Sequence, residues 1–232
     1  MNNFIIQFEK AFSPDFCASV INKFDTDRRK FQGKTGGGVD LSKKNSSDLS
    51  ISTHPEWQEE HTAIQNTIIQ GLIQYARMYP HFLVGAVSTK YQDNNTGEIR
   101  EINGHDIKNM PEPQLKMLIE RIYELEPINM QKYETSVGGY PYPHSEHFPH
   151  PNDPTQRSLH RVLLWLVYLN DVNQGGETEF IYQNAKIIPR TGNLVFSPCG
   201  FTHTHCGHPP QSGEKYVLAS WVGFKSSHDI YK

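Results

Sequence analysis

The sequence lacks the features that mark several large classes of protein. Its 232 residues include only three cysteines, Cys17, Cys199 and Cys206, an odd and sparse set that argues against a disulfide-bonded secreted domain. The formal net charge of -3 provides no basic surface for nucleic acid or for an anionic membrane. We therefore expect a reducing, cytoplasmic setting, with neither nucleic acid nor membrane as a partner.

Long hydrophobic runs are also missing. The longest, Val162 to Leu169, has the length of a strand, whereas a membrane-spanning helix needs roughly 20 apolar residues. The first ten residues, MNNFIIQFEK, lack the basic region and the long apolar segment of a signal peptide, so we expect none. Hydrophobic residues make up 36% of the chain and charged residues 20%, which is ordinary globular composition.

The first half of the chain favours helices. Ser13-Pro14-Asp15 supplies a cap, a first-turn proline and a first-turn acid, which predicts a helix from residue 14. Apolar residues at steps of three and four predict a long helix from about 55 to 79 and a short one near 115–122. Residues 32–53 show no apolar period and are predicted to form a mobile loop, and the polar residues 88–113 suggest a hairpin or excursion.

From about residue 127 the pattern changes to strands. Segments rich in β-branched and aromatic residues alternate with turn residues, near 128–133, 161–169, 178–182, 186–188, 193–197 and 215–224. Short strands at this spacing predict a jelly-roll core. We predict an α+β fold in one structural unit, with residues 1–126 as a helical flank with loops packed on the core and residues 127–232 as the core itself.

Histidine is the unusual abundance, with twelve residues gathered mainly in two stretches. His144 and Glu146 lie two apart, so in an extended segment both side chains point to the same face and can grip one ion. The second stretch offers His203 and His205, again two apart. Two histidines and one carboxylate form the facial set of non-heme iron(II) sites, and the same set can also hold a catalytic zinc.

Several ordered motifs resemble one known family. HSE at 144–146, YLNDVNQGGETEF at 168–180 and TGNLVFSPCGFTHTHCGHPPQSGEKYVLASW at 191–221 are similar to the prolyl 4-hydroxylase-like branch of the iron(II)- and 2-oxoglutarate-dependent dioxygenases. The resemblance covers roughly residues 127–224. It implies a double-stranded β-helix (jelly-roll) core, Fe(II), 2-oxoglutarate and O2, with ascorbate as an additional cofactor. The implied reaction is hydroxylation of an aliphatic C–H bond.

The resemblance also implies a substrate class and a set of metal ligands. Prolyl 4-hydroxylation of a peptide or protein is the leading reaction, and a small amino-acid-like substrate is the other option. His144 falls on the family's first histidine ligand, Glu146 on its carboxylate ligand and His205 on its distal histidine. The family carboxylate is usually aspartate, so the longer glutamate is a departure that bears on metal affinity.

The same resemblance implies residues around the metal. Lys215 falls on the basic residue that binds the distal carboxylate of 2-oxoglutarate, and Tyr133 lies near the tyrosine that helps to hold this cosubstrate. Thr178 is assigned to cosubstrate binding on a looser match. Trp221 and His203 are assigned to the pocket wall or to the surroundings of the ligands.

Two other functions remain open from the sequence. The chain can be a non-catalytic jelly-roll binding module in which Glu146 marks lost redox activity, or a zinc hydrolase with the same triad. Among the neighbouring residues, Cys206 is predicted to be a small core residue and Arg161 to pair with an acid. We expect loops to select the substrate, namely 32–53, 88–113 and 147–157.

Overall fold

The structure is a computed structural model that describes residues 2–85, 87, 89–92 and 97–231. The chain divides into two units, one of Met1–Ala63 with Leu125–Gly223 and the other of Ile64–Glu124 with Phe224–Lys232. Residues 1–126 thus contribute to both units, and the boundary placed between residues 126 and 127 stays a prediction.

The first unit contains a large antiparallel sheet. Seven of its eight strands are β1 (Ile6–Phe8), β2 (Phe31–Gln32), β3 (Ser47–Ser50), β7 (Asn129–Tyr133), β9 (Arg161–Tyr168), β12 (Leu194–Pro198) and β14 (Lys215–Phe224). They pair in the order β1-β12-β9-β14-β7-β3-β2. The central strand β9 reads RVLLWLVY and is largely buried, as its continuous apolar character predicts.

A smaller antiparallel sheet lies in the same unit. It consists of β8 (Tyr140–His144), β10 (Thr178–Phe180), β11 (Ala185–Ile187) and β13 (His205–Gly207), in the order β11-β10-β13-β8. Residues of both sheets line one cavity. Two antiparallel sheets around a shared interior form the predicted jelly roll, and the fold class is confirmed.

Helix α1 (Pro14–Thr26) packs on the outer side of the large sheet. The Ser13 hydroxyl caps the helix by accepting from the Phe16 N–H at 3.2 Å, as predicted from the sequence. The ring of Phe24 meets Tyr216 of β14 edge-on, at 6.1 Å between centroids. Tyr216 Oη also donates to the Asp25 carboxylate at 3.0 Å. These contacts anchor α1 to the strand that carries Lys215.

The prediction that residues 32–53 form a mobile loop is wrong for part of the segment. Residues Ser47–Ser50 form β3, which pairs with β7, and a 3-10 turn follows at Ile51–Thr53. The pattern escaped detection because the inward residues include Asp48, which is 1% exposed and balanced by Lys44, itself 4% exposed. Buried charge does not show in a hydrophobic pattern.

The second unit is mainly helical. Helix α2 (Gln58–Met78) begins in the first unit, after a 3-10 turn at Pro55–Trp57, and continues into the second. The other elements are α3 (His81–Val84), β4 (Lys90–Gln92), β5 (Ile99–Glu101), α4 (Gly104–Asn109), α5 (Glu112–Ile122), β6 (Tyr123–Leu125, which ends in the first unit) and α6 (Ser227–Ile230).

Within the polar segment 88–113 of this unit, β4 and β5 pair antiparallel, and α4 follows them. Residues 88 and 93–96 of that predicted hairpin lie outside the described part of the chain. The short helix predicted near 115–122 is confirmed as α5, whose buried face is Leu115, Leu118, Ile119 and Ile122. Within the described residues, no helix combines the length and the apolar character needed to cross a membrane.

Candidate metal centre

Three predicted ligands converge between the two sheets. His144 ends β8 and His205 begins β13, and the strand register pairs these two residues directly. Glu146 follows two residues after His144, with its backbone N–H donated to the Cys199 carbonyl at 3.1 Å. Its Oε1 lies 3.6 Å from His144 Nε2 and 3.4 Å from His205 Nε2. One ligand atom from each residue lies within 4.8 Å of the other two.

Backbone carbonyls orient both imidazoles. The Nδ1 atom of His144 lies 2.8 Å from the Tyr142 carbonyl, and that of His205 lies 3.0 Å from the His203 carbonyl. A carbonyl only accepts, so each Nδ1 carries a proton, and each Nε2 is directed at the Glu146 carboxylate. A hydrogen bond from the other ring nitrogen to a backbone carbonyl is the arrangement found around metal-ligating histidines.

The Glu146 carboxylate is held in its charged form. Burial by itself raises its pKa, but hydrogen bonds with His144 and His205 outweigh burial and hold the pKa well below the usual range. Arg161 adds a cation 3.7 Å from the other carboxylate oxygen. A charged carboxylate and two imidazoles are a donor set that suits a divalent transition metal, so the residues fit the iron that the resemblance implies.

The predicted cosubstrate residues lie in the same cavity, which has a volume of about 360 Å³. Lys215 and Tyr133 are cross-strand partners on β14 and β7, and the Lys215 ammonium lies 4.9 Å from the Tyr133 ring centroid. The ammonium is buried and donates to the Gly176 carbonyl at 2.8 Å. Tyr133 Oη donates to the Gln131 side chain at 2.8 Å.

Gly207 shows where the ammonium sits relative to the metal ligands. A Cβ atom built on Gly207 would lie 3.8 Å from Lys215 Nζ. Gly207 is two residues beyond His205 on β13, which corresponds to about 7 Å along a strand. The Lys215 ammonium therefore lies at a distance from the triad that a short molecule can bridge.

The remaining predicted residues divide into two groups. Thr178 and Trp221 line the cavity, where the Thr178 hydroxyl accepts from Tyr168 Oη at 2.8 Å. His203 does not line it. Its Nε2 lies 2.8 Å from the Asn3 carbonyl and its Nδ1 contacts the Thr202 hydroxyl. The expectation that His203 and His205 share a face is wrong, because Phe201–His203 is a 3-10 turn and β13 starts only at His205.

Arg161 makes the predicted structural ion pair and also faces the cavity. Its guanidinium pairs with Glu126 at 3.0 Å and lies 3.4 Å from the centroid of the Trp221 ring. The Trp221 indole N–H is buried and has no hydrogen-bond partner among the described residues. Arg161 and Trp221 therefore place a positive charge and a hydrogen-bond donor in the cavity wall close to Glu146.

Sequence reasoning missed two features of the cavity wall. Tyr140 stacks on the His144 ring at 3.8 Å between centroids, which helps to fix the plane of that imidazole. Lys44 forms a buried ion pair with Asp48 at 2.8 Å, and Asp48 also accepts from Ser46 at 2.6 Å and from Asn129 at 2.8 Å. The lysine-rich composition of this segment indicated a solvated loop and hid the pair.

Comparison with known proteins supports the same class. Residues 128–223 match the family model of the 2OG-Fe(II) oxygenase superfamily. The human prolyl 4-hydroxylase subunit alpha-3 is 32% identical over 133 residues, which is 50% of this chain and 24% of that subunit. The chain thus spans about a quarter of the length of this relative.

Solved structures show the fold. A prolyl hydroxylase of Trichoplax adhaerens, solved with a peptide fragment of the hypoxia inducible factor oxygen degradation domain, has a TM-score of 0.62 at 13% identity and covers 99% of this chain and 87% of that one. The viral collagen prolyl hydroxylase of Paramecium Bursaria Chlorella virus-1, in its 2OG complex, has a TM-score of 0.50 at 18% identity and covers 94% and 95%.

The fold, the triad and the matching segment define a class. Residues 128–223, which include the triad, are similar to the 2OG-Fe(II) oxygenase superfamily. The sequence relatives of this part of the chain include prolyl 4-hydroxylase subunits. The comparisons lend no support to a zinc hydrolase or to a non-catalytic binding module.

Proposed function

We propose that this protein is an iron(II)- and 2-oxoglutarate-dependent dioxygenase that hydroxylates an aliphatic C–H bond, with peptidyl proline as the leading substrate. The observation that supports it most directly is the presence of both parts of such a site in one cavity. The three ligand atoms of the triad lie within 4.8 Å of one another. The buried Lys215 ammonium, which donates to the Gly176 carbonyl, faces the same cavity.

Each residue has a defined task in this proposal. His144, Glu146 and His205 hold the metal on one face and leave the opposite face to ligands. Lys215 pairs with the distal carboxylate of 2-oxoglutarate, an otherwise costly buried charge. Iron(II), 2-oxoglutarate and dioxygen, when bound, supply the oxidising chemistry.

An open groove beside the triad fits a peptide better than a small metabolite. The groove measures about 580 Å³ and shares its wall with the cavity at Tyr140, His144 and Phe148. It continues along Tyr142, which is 49% exposed. Exposed aromatic rings suit proline-containing segments, which keep an extended shape at low entropic cost. The unpartnered Trp221 N–H offers a donor for a substrate carbonyl.

Succinate release tests this function. Purified protein with iron(II) and 2-oxoglutarate is incubated with a panel of proline-containing peptides and with free amino acids. We expect succinate formation and a mass increase of one oxygen on a peptide, both dependent on iron. Absence of both iron and 2-oxoglutarate binding by anaerobic calorimetry would falsify the proposal.

Variants of Glu146 test whether the longer carboxylate still serves the metal. Glu146→Gln keeps the shape but removes the charge, so we expect iron(II) affinity to fall by more than about 100-fold, beyond the effect of losing an outer contact. Glu146→Asp keeps the charge on a shorter arm, and we expect a loss of about tenfold or less. An inert wild type together with an active Glu146→Asp variant would support the non-catalytic alternative instead.

Binding of 2-oxoglutarate should weaken at alkaline pH. Burial lowers the pKa of Lys215 from 10.5 to about 8, so the ammonium that pairs with the distal carboxylate is lost as the pH rises through that value. We expect affinity to drop roughly tenfold between about pH 7 and about pH 9, measured by anaerobic calorimetry. Lys215→Arg keeps its charge throughout this range, so its affinity should stay nearly constant. An equal drop in both proteins would show that another group controls the pH dependence.

Two further elements belong to the proposal. Ascorbate would sustain turnover by keeping the metal in the iron(II) state, which is tested by adding it to the succinate assay. A reducing, cytoplasmic setting agrees with Cys17, Cys199 and Cys206, all of which are free and buried.

A further inference from the structure

A second cluster of metal-ligating side chains lies on the smaller sheet, outside the cavity. Glu179 of β10 and Cys206 of β13 are direct cross-strand partners, and His208 follows one residue after β13. One ligand atom from each of the three lies within 4.8 Å of the others. His208 Nε2 is already 2.5 Å from Glu179 Oε2.

Strand alternation separates this cluster from the triad. His205 faces the cavity, so its neighbour Cys206 points to the opposite face of β13. In the same way Thr178 lines the cavity, while Glu179 points outward. The two clusters therefore share strand β13 but no side chain.

We propose that Glu179, Cys206 and His208 form a second metal site, selective for a thiophilic divalent ion such as Zn2+. Thiolate, imidazole and carboxylate are the three ligand types that zinc uses in proteins, in a tetrahedral set whose fourth position is left to water here. The iron triad contains no sulfur ligand, so the two sites differ in the metal they prefer.

The surroundings allow an ion to enter. The Cys206 residue is 5% exposed, whereas the side chains of Glu179 and His208 are 27% and 35% exposed and can adjust their positions. The backbone N–H of His208 donates to the Glu177 carbonyl at 2.9 Å, which holds the chain of this ligand next to β10. Lys186 Nζ lies 3.6 Å from Glu179, but its side chain is 56% exposed and free to turn into solvent.

Metal binding at this second site conserves atoms and charge. A metal–sulfur bond forms as the Cys206 S–H bond breaks, and the proton passes to solvent. The Glu179 carboxylate moves its contact from His208 to the metal. His208 binds as a neutral imidazole, with any proton on the ligating nitrogen released to solvent. The ion then joins β10 to β13, the strand that presents His205 to the cavity.

Cobalt(II) spectroscopy tests the site on the full chain. Co2+ replaces Zn2+ in such sites, and a thiolate ligand gives it an intense near-ultraviolet charge-transfer band. The triad has no thiolate, so this band reports the outer site alone and does not depend on enzymatic activity. We expect the band in the wild type under anaerobic conditions with a thiol-free reductant, and its loss when Zn2+ is added.

Matched variants identify the ligands. Cys206→Ser should abolish the band, and His208→Gln, a change at a partly exposed residue, should weaken Co2+ binding by more than about tenfold. His144→Ala, which disables the triad, and Cys199→Ser, which removes another buried thiol, should both leave the band intact. Absence of the band in the wild type, or its survival in Cys206→Ser, overturns the proposal. Because the signal is independent of turnover, this outcome is separate from success or failure of the proposed enzymatic function.

Discussion

Replacement of His205 by alanine is expected to abolish 2-oxoglutarate turnover. The variant loses the only imidazole that β13 presents to the cavity and leaves His144 and Glu146 as an incomplete pair. Loss of an outer contact to a metal ligand typically costs 10- to 100-fold, so loss of the ligand itself should lower iron(II) affinity by more than about 100-fold. Anaerobic iron titration and succinate release measure the two effects.

His203 provides the control for this variant. It lies two residues away and is also buried, but its ring contacts the Asn3 carbonyl and the Thr202 hydroxyl. His203→Gln should therefore retain iron binding and turnover. Because its hydrogen bonding is altered, we expect its free energy of unfolding to fall by about 1 kcal/mol. If His203→Gln instead lost the metal and His205→Ala kept it, the assignment of the distal ligand would be reversed.

The largest expected effect on stability comes from the buried pair of Lys44 and Asp48. Lys44→Met leaves the Asp48 carboxylate buried without its counter-charge, although Ser46 and Asn129 still donate to it. Breaking a buried ion pair by removing one partner costs about 3–5 kcal/mol. We expect a loss of this size in the free energy of unfolding, measured by urea titration.

Two further variants make the interpretation specific. Lys44→Met combined with Asp48→Asn removes both charges and keeps an acceptor for Ser46, so the double variant should be more stable than Lys44→Met alone. Lys43→Met alters the neighbouring lysine, whose ion pair with Asp40 is exposed, and should cost less than about 1 kcal/mol. Equal losses for Lys43→Met and Lys44→Met would show that the burial of the pair is not the cause.

The sequence predicted most of the elements because their signals are local. The cap at Ser13 and the apolar face of α5 each depend on residues a few positions apart. The same holds for His144 and Glu146, whose spacing of two places both on one face of an extended segment. Such patterns can be recognised without knowledge of the rest of the chain.

The failures have a common cause in contacts between distant residues. Strand β3 was missed because its inward Asp48 is stabilised by Lys44 and by Asn129, which is 81 residues away. The choice between His203 and His205 depended on where a 3-10 turn gives way to a strand, which spacing alone does not reveal. The resemblance to the prolyl hydroxylase-like branch assigned the distal ligand to His205, and the structure explains why His203 is turned away.

The sequence by itself indicated the class that the fold supports, because the candidate ligand types, their order and the strand pattern lie in short motifs. Only the tertiary structure decided how those motifs meet: the pairing of β8 with β13 sets His144 opposite His205, and the pairing of β7 with β14 sets Tyr133 opposite Lys215. The physical reason is that strand register, and with it the face on which each side chain lies, is fixed by pairing between segments far apart in the chain. The same register turned Cys206 and Glu179 to the outer face, where they meet His208.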